Sequence, residues 1–189
     1  MFESRLVDRF SRTHWSVVPI LYVPAVSLCV IYGLAHHGLS VAMSAALFAT
    51  GVLLWTLSEY VLHRWFFHWV PPGRWGERMH FLVHGVHHRW PRDRYRLVMP
   101  PAVSIALFWG FLGLFILAVG PRAWPLHAGF TAGYVFYDVM HYAIHHLPPR
   151  WGWHKALRQH HLAHHAPRLQ HERKFGVSNT IWDHVFGTY

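Results

Sequence analysis

A chain of 189 residues that is 53% hydrophobic, carries a net charge of +9 and has 20 histidines against 17 lysines and arginines lies far outside ordinary usage. No basic run stands clear of apolar sequence, which argues against nucleic acid as the partner and for a membrane surface. The one cysteine, Cys29, lies within an apolar run, so a disulfide framework and a cysteine-ligated zinc site are excluded, and its side chain reads as a small buried hydrophobe.

Four stretches approach the roughly 20 apolar residues that a bilayer-spanning helix needs: 17–35, 39–58, 101–119 and 123–140. The first is too long for a signal peptide and no small-residue cleavage site follows it, so it is expected to be retained. The short links HHG (36–38) and GPR (120–122) make each consecutive pair a hairpin. The N-terminus and the long stretches 59–100 and 141–189 then share one side. That side holds all the basic residues except Arg122, the bias of a cytoplasmic face.

Histidines appear where the second span ends. HRWFFH supplies His63 and His68, which five residues of ideal helix would set about 140° apart. Either the two serve different metals or the helix loosens between them. Pro71 and Pro72 then turn the chain along the membrane surface. HFLVHGVHHRW (80–90) follows, with His84, His87 and His88 at i, i+3 and i+4 on one helical face, a metal-ligand arrangement. Arg92, Asp93, Arg94, Tyr95 and Arg96 lead into the third span, placed either to orient a substrate head group or to contact anionic lipid.

The fourth span ends in a second version of the same pattern. MHYAIHHLPPRWGWHKALRQHHLAHH (140–165) repeats the first half's histidine pair, Pro-Pro, Arg-Trp-Gly and His-x-x-His-His, giving His141, His145, His161, His164 and His165. Two pseudo-equivalent halves of five histidines each follow. Ten converging imidazoles exceed the usual three or four ligands of about one ion, so two metals are implied. Asp138, near the end of the fourth span, and Glu59, four residues before His63, are candidates to fix the tautomer of a ligand imidazole. His80, His146 and His160 adjoin ligands. His14, His36, His37, His127, His154, His171 and His184 fall outside the pattern and read as surface, interface or packing groups.

HRWFFH, HFLVHGVHH, RYRLVMPP, YDVMHYAIHH, HHLAHH and FGVSNTIWDHVFGT together resemble the fatty acid hydroxylase superfamily of membrane di-metal proteins, most closely its fatty acid 2-hydroxylase branch, from about residue 55 onward. The resemblance marks His63, His68, His84, His87, His88, His141, His145, His161, His164 and His165 as ligands, the set the repeat also proposes. It implies two iron ions, with zinc able to replace them in purified protein, and insertion of one oxygen atom from dioxygen beside an acyl carbonyl. The chain has no His-Pro-Gly-Gly haem motif, flavin-binding glycine turn or cysteine cluster, so a separate electron donor protein is expected.

The fold expected is all-α and integral to a membrane: four transmembrane helices as two hairpins, with a cytoplasmic helical cap holding the di-metal site. It reads as one domain over 1–189, with pseudo-repeats at about 17–100 and 101–175 and a C-terminal tail. A fatty acyl lipid, free or ceramide-linked, is the expected substrate. A bacterial cell membrane is favoured, or the endoplasmic reticulum for a eukaryotic chain. A sterol or carotenoid hydroxylase and a lipid desaturase remain as alternatives. So does a non-enzymatic metal-binding membrane protein, although a transporter would place ligands midway along its spans.

Overall fold

A computed structural model describes residues 5–169 and 171–189, and among them the regular structure is entirely helical. A short helix α1 (Arg5–Phe10) precedes the long helices α2 (Val17–His37) and α3 (Val41–Val61). Gly38 ends α2 in the left-handed region at φ 59°, its N–H reaching the Gly33 carbonyl. Two residues later the Ser40 side chain accepts from the Met43 N–H at 3.2 Å and starts α3. α3 continues through a π-helical turn, Leu62–Phe67, and stops before Pro71 and Pro72. α4 (Gly73–His80) runs through a second π-helical turn, Phe81–Gly85, into α5 (Val86–Arg89).

The second half repeats the plan. α6 (Pro101–Val119) is followed by a tight turn at Gly120–Arg122 and then α7 (Ala123–His146), after which α8 (Gly152–His164) and α9 (Ile181–Val185) complete the chain. Among the described residues three helical runs are long and apolar enough, by length and composition, to cross a membrane: Val17–His37, Val41–Phe67 and Pro101–His146. The last is 46 residues long and contains both stretches that the sequence separates at GPR. Near its start α6 places Ser104 on the Tyr22 hydroxyl whose ring packs on Tyr134, and near its end Phe115 meets His127 with ring centres 5.9 Å apart, so α6 and α7 lie antiparallel within it.

α7 is the centre of the bundle. It buries 16 of its 24 residues, while α2 buries four and α6 two. Tyr22 and Tyr32 of α2 meet Tyr134 and Trp124, so α2 also runs antiparallel to α7. α3 runs parallel to α7 and packs closest, because the contact is made by glycines. A Cβ on Gly129 would stand 1.9 Å from the Phe48 carbonyl oxygen, and one on Gly51 2.0 Å from that of Leu126. This direction matters for function: the C-terminal ends of α3 and α7, which carry His63 and His141, emerge at the same end of the bundle.

Two arginines tie shorter helices to their neighbours. Arg158 of α8 donates to the Leu147 carbonyl at 2.9 Å and to that of Ile144, satisfying the open C-terminus of α7. Arg96 is buried and ion-paired with Asp8 at 2.6 Å and with Asp93, which ties α1 to the loop before α6. Of the 92–96 cluster, expected to face either a substrate head group or anionic lipid, Arg96 is therefore committed to structure, while Arg92 and Arg94 remain exposed. Trp65, Phe66, Trp69, Trp75, Trp151 and Trp153 stand exposed around the same end, where an interfacial aromatic belt would lie. Cys29 is buried, as a small hydrophobe would be.

Candidate metal centre

The π-helical turn at Leu62–Phe67 resolves the spacing of the first histidine pair. Hydrogen bonding of the i to i+5 kind widens the turn, so residues five apart return to one side, and His63 and His68 face the same point. The helix loosens, and both residues fall in one cluster. His141 and His145 need no such device, since i and i+4 already align on α7.

The ten histidines converge as two groups of five, each offering one ring nitrogen per residue with those nitrogens within 4.8 Å of one another. The first cage is His63, His68, His84, His88 and His164; the second is His87, His141, His145, His161 and His165. The equal division between sequence halves is thus crossed. In each His-x-x-His-His motif the outer two histidines stay with their own half, and the middle one, His87 or His164, joins the other half's cage. Corresponding residues also meet across this pseudo-symmetry, His88 stacking on His165 with ring centres 4.3 Å apart.

These clusters cannot be satisfied as hydrogen-bond networks. His161 Nε2 lies 3.0 Å from His141 Nε2, 3.0 Å from His145 Nε2 and 3.1 Å from His165 Nε2. One ring nitrogen carries a single proton or a single lone pair, so it can serve only one of three such neighbours. In the first cage His84 Nε2 faces both His63 at 3.1 Å and His88 at 2.9 Å. Five inward nitrogens without a cation repel; a metal ion held by each group would turn that repulsion into ligation.

Electrostatics favours the ligating form. Burial, and then the neighbouring imidazoles, hold His84, His87 and His161 well below the usual histidine range. Burial likewise lowers His68 to about 2, His165 to about 3 and His164 to about 4. All are neutral near pH 7, leaving lone pairs free for a metal.

The carboxylates expected to orient imidazoles do something else. Glu59 accepts from the backbone N–H groups of Val177 at 2.7 Å and Ser178 at 2.8 Å, and from the Ser178 hydroxyl, so it anchors the C-terminal segment and touches no histidine. Asp138 is buried beside Tyr134 and the Met99 backbone. Two of the imidazoles are oriented instead by backbone carbonyls: His63 Nδ1 faces the Phe175 oxygen at 2.5 Å, and His164 Nδ1 that of Arg173 at 2.8 Å. His160 serves this arrangement through Asp183, 3.0 Å away. His146 packs on Tyr142. His80 lies close to Gly85 within the π-helical segment.

His171, which the pattern leaves out, sits with its ring centre 5.3 Å from that of His68 and so borders the first cage. Its position seven residues beyond α8 concealed this. Asp183 was also missed. The only signal was one acidic residue amid the apolar run IWDHVF.

An apolar helix bundle that gathers ten imidazoles at one end, in two clusters that could each hold a metal ion, is the architecture of a multi-histidine membrane enzyme. A family model described as fatty acid hydroxylase matches residues 48–188. A dihydroceramide fatty acyl 2-hydroxylase of Arabidopsis thaliana is 39% identical over 99% of this chain and 78% of its own length. The ceramide very long chain fatty acid hydroxylase of Saccharomyces cerevisiae is 40% identical over 97% of this chain, which spans about half of that longer protein (47%). The solved structure of full-length scs7p, with only its hydroxylase domain visible, superposes at a TM-score of 0.91 with 37% identity, covering 100% of this chain and 71% of that one. The chain belongs to the fatty acid hydroxylase family.

Proposed function

We propose that this protein is a dioxygen-dependent membrane monooxygenase that places a hydroxyl group on C2 of a fatty acyl chain, free or ceramide-linked, using two iron ions. The observation that carries the reading is the pair of five-imidazole cages at one end of the apolar helices, in a chain whose relatives are named as fatty acyl 2-hydroxylases. His63, His68, His84, His88 and His164 would hold one iron, and His87, His141, His145, His161 and His165 the other. Bound there, the iron pair would supply the reduction of dioxygen that C–H hydroxylation requires.

The protein's own part is placement. The chain would cross the membrane four times as two hairpins, and α4, α5, α8 and α9 would form a cytoplasmic cap, because the basic residues collect at that end. The 1–189 unit acts as one domain of two pseudo-repeats, and neither suffices alone, since each cage borrows a histidine from the other half. His88, His145 and His165 are the cage members that keep partial exposure, so the reacting carbon would approach from their side. The overall change, R–H + O₂ + 2 e⁻ + 2 H⁺ → R–OH + H₂O, calls for two electrons, which a separate carrier protein delivers.

The test is a lipid profile of cells expressing the chain, set against cells expressing His87→Ala. Accumulation of 2-hydroxyacyl lipids with the first and not the second supports the reading. A new double bond, or a hydroxyl on a sterol or carotenoid ring, overturns the assigned reaction.

A further inference from the structure

Only one of the two cages is gripped from outside its helices. The Nδ1–carbonyl bonds of His63 with Phe175 and of His164 with Arg173 both belong to the first cage. Among the described residues no carbonyl takes the Nδ1 of a second-cage histidine; the Nδ1 atoms of His161 and His165 there, and of His68 in the first cage, are buried without a hydrogen bond, so the difference lies in the two carbonyl bonds.

The segment presenting the two carbonyls is fixed by two buried carboxylates. Asp183, fully buried, accepts from Phe175 N at 2.9 Å, Gly176 N at 2.8 Å and Thr188 Oγ1 at 2.8 Å, and it meets His160 Nε2 at 3.0 Å. Glu59 holds Val177 and Ser178 immediately downstream. Between the two carbonyls the backbone passes through Lys174 at φ 66°, a costly conformation for a side-chain-bearing residue, secured by its N–H on the Thr188 carbonyl at 2.8 Å. Gly176 leaves no slack either, since a Cβ there would stand 2.0 Å from the Asn179 carbonyl oxygen.

We propose that Asp183 is a positioning residue for the first metal, acting through the Phe175 and Arg173 carbonyls, and that the two cages consequently hold their metals unequally, the first more tightly. An Nδ1–H given to a carbonyl fixes the proton on the outer nitrogen, keeps the Nε2 lone pair inward and locks the ring before metal arrives. The first cage has two rings fixed in this way and the second none, so His161 and His165, like His68, must settle tautomer and rotation when the metal binds. The inference rests on the reading that these cages bind metal.

The experiment uses the full chain in lipid nanodiscs, loaded to saturation with zinc and then mixed with excess chromophoric chelator, with release followed in time. The wild type should release its zinc in two phases of one equivalent each. Asp183→Asn should speed the slow phase about 10–100-fold, the usual consequence of removing an outer hydrogen-bonding partner, and leave the fast phase unchanged. If the variant does not fold, the wild-type trace decides alone. A single phase of two equivalents, or an Asp183→Asn effect equal on both phases or absent from both, would overturn the inference. Binding of no zinc at all would overturn the metal reading itself, whereas two equal sites would overturn only the inequality.

Discussion

Replacing His164 with alanine should empty the cage built mainly by the other half of the chain. His164 is fully buried, lies 2.9 Å from His68 and contributes one of the five nitrogens of the first cage. Its removal also strands the Arg173 carbonyl, which costs about 1–3 kcal/mol in the metal-free protein. Loss of an outer partner alone typically weakens metal affinity about 10–100-fold, and loss of a direct donor exceeds that. Bound metal, measured by elemental analysis after dialysis against metal-buffered solution, should therefore fall from two equivalents to one. The double variants decide the connectivity. His68→Ala with His164→Ala removes two ligands of one cage and should still leave one equivalent. His164→Ala with His165→Ala, although adjacent in sequence, strikes both cages and should leave none. If the adjacent pair leaves one equivalent and the distant pair none, the crossing of the middle histidines is refuted.

Three further outcomes follow from the same geometry. Burial lowers the folded-state pKa of His164 to about 4 and of His165 to about 3, so below the ordinary 6.5 the unfolded chain binds protons that the metal-free fold refuses. Its melting temperature should hold above that pH and fall progressively from about 6.5 toward 3; a rise on acidification would contradict the burial of neutral imidazoles. Gly129→Ala should drive a Cβ into the Phe48 carbonyl and destabilise the bundle by about 1–3 kcal/mol or more, read as a lower melting temperature in detergent, while Gly113→Ala, with open space around it, should not. Arg96→Ala leaves Asp8 and Asp93 without their shared cation and should release α1, seen as faster proteolysis after residues 5–12 with metal content unchanged.

Much of the site could be read before the fold. The ten grouped positions were visible because two halves repeat the same spacings, and the long apolar stretches account for the helices that reach spanning length. The π-helical turn was visible only as a conflict: a step of five from His63 to His68 does not fit an α-helix serving one metal. Which cage each middle histidine joins was not legible, since it depends on how α5 and α8 pack together in space. Nor was the clamp on the first cage, because Glu59 meets Val177 across 118 residues. Carboxylates near histidines in sequence suggested direct contact, whereas Glu59 and Asp183 act through a loop whose backbone carries the contact.

The central claim, that the two cages serve dioxygen-dependent hydroxylation of an acyl chain, is tested most directly by isotope labelling. The iron-loaded protein in nanodiscs is supplied with acyl lipid, a reduced ferredoxin-type carrier and labelled dioxygen in ordinary water, and the product is read by mass spectrometry. The account predicts a 2-hydroxyacyl product carrying the dioxygen label, formed only when iron, dioxygen and reduced carrier are all present. Oxygen arriving from water, or full turnover by the zinc-loaded protein without reductant, would contradict it.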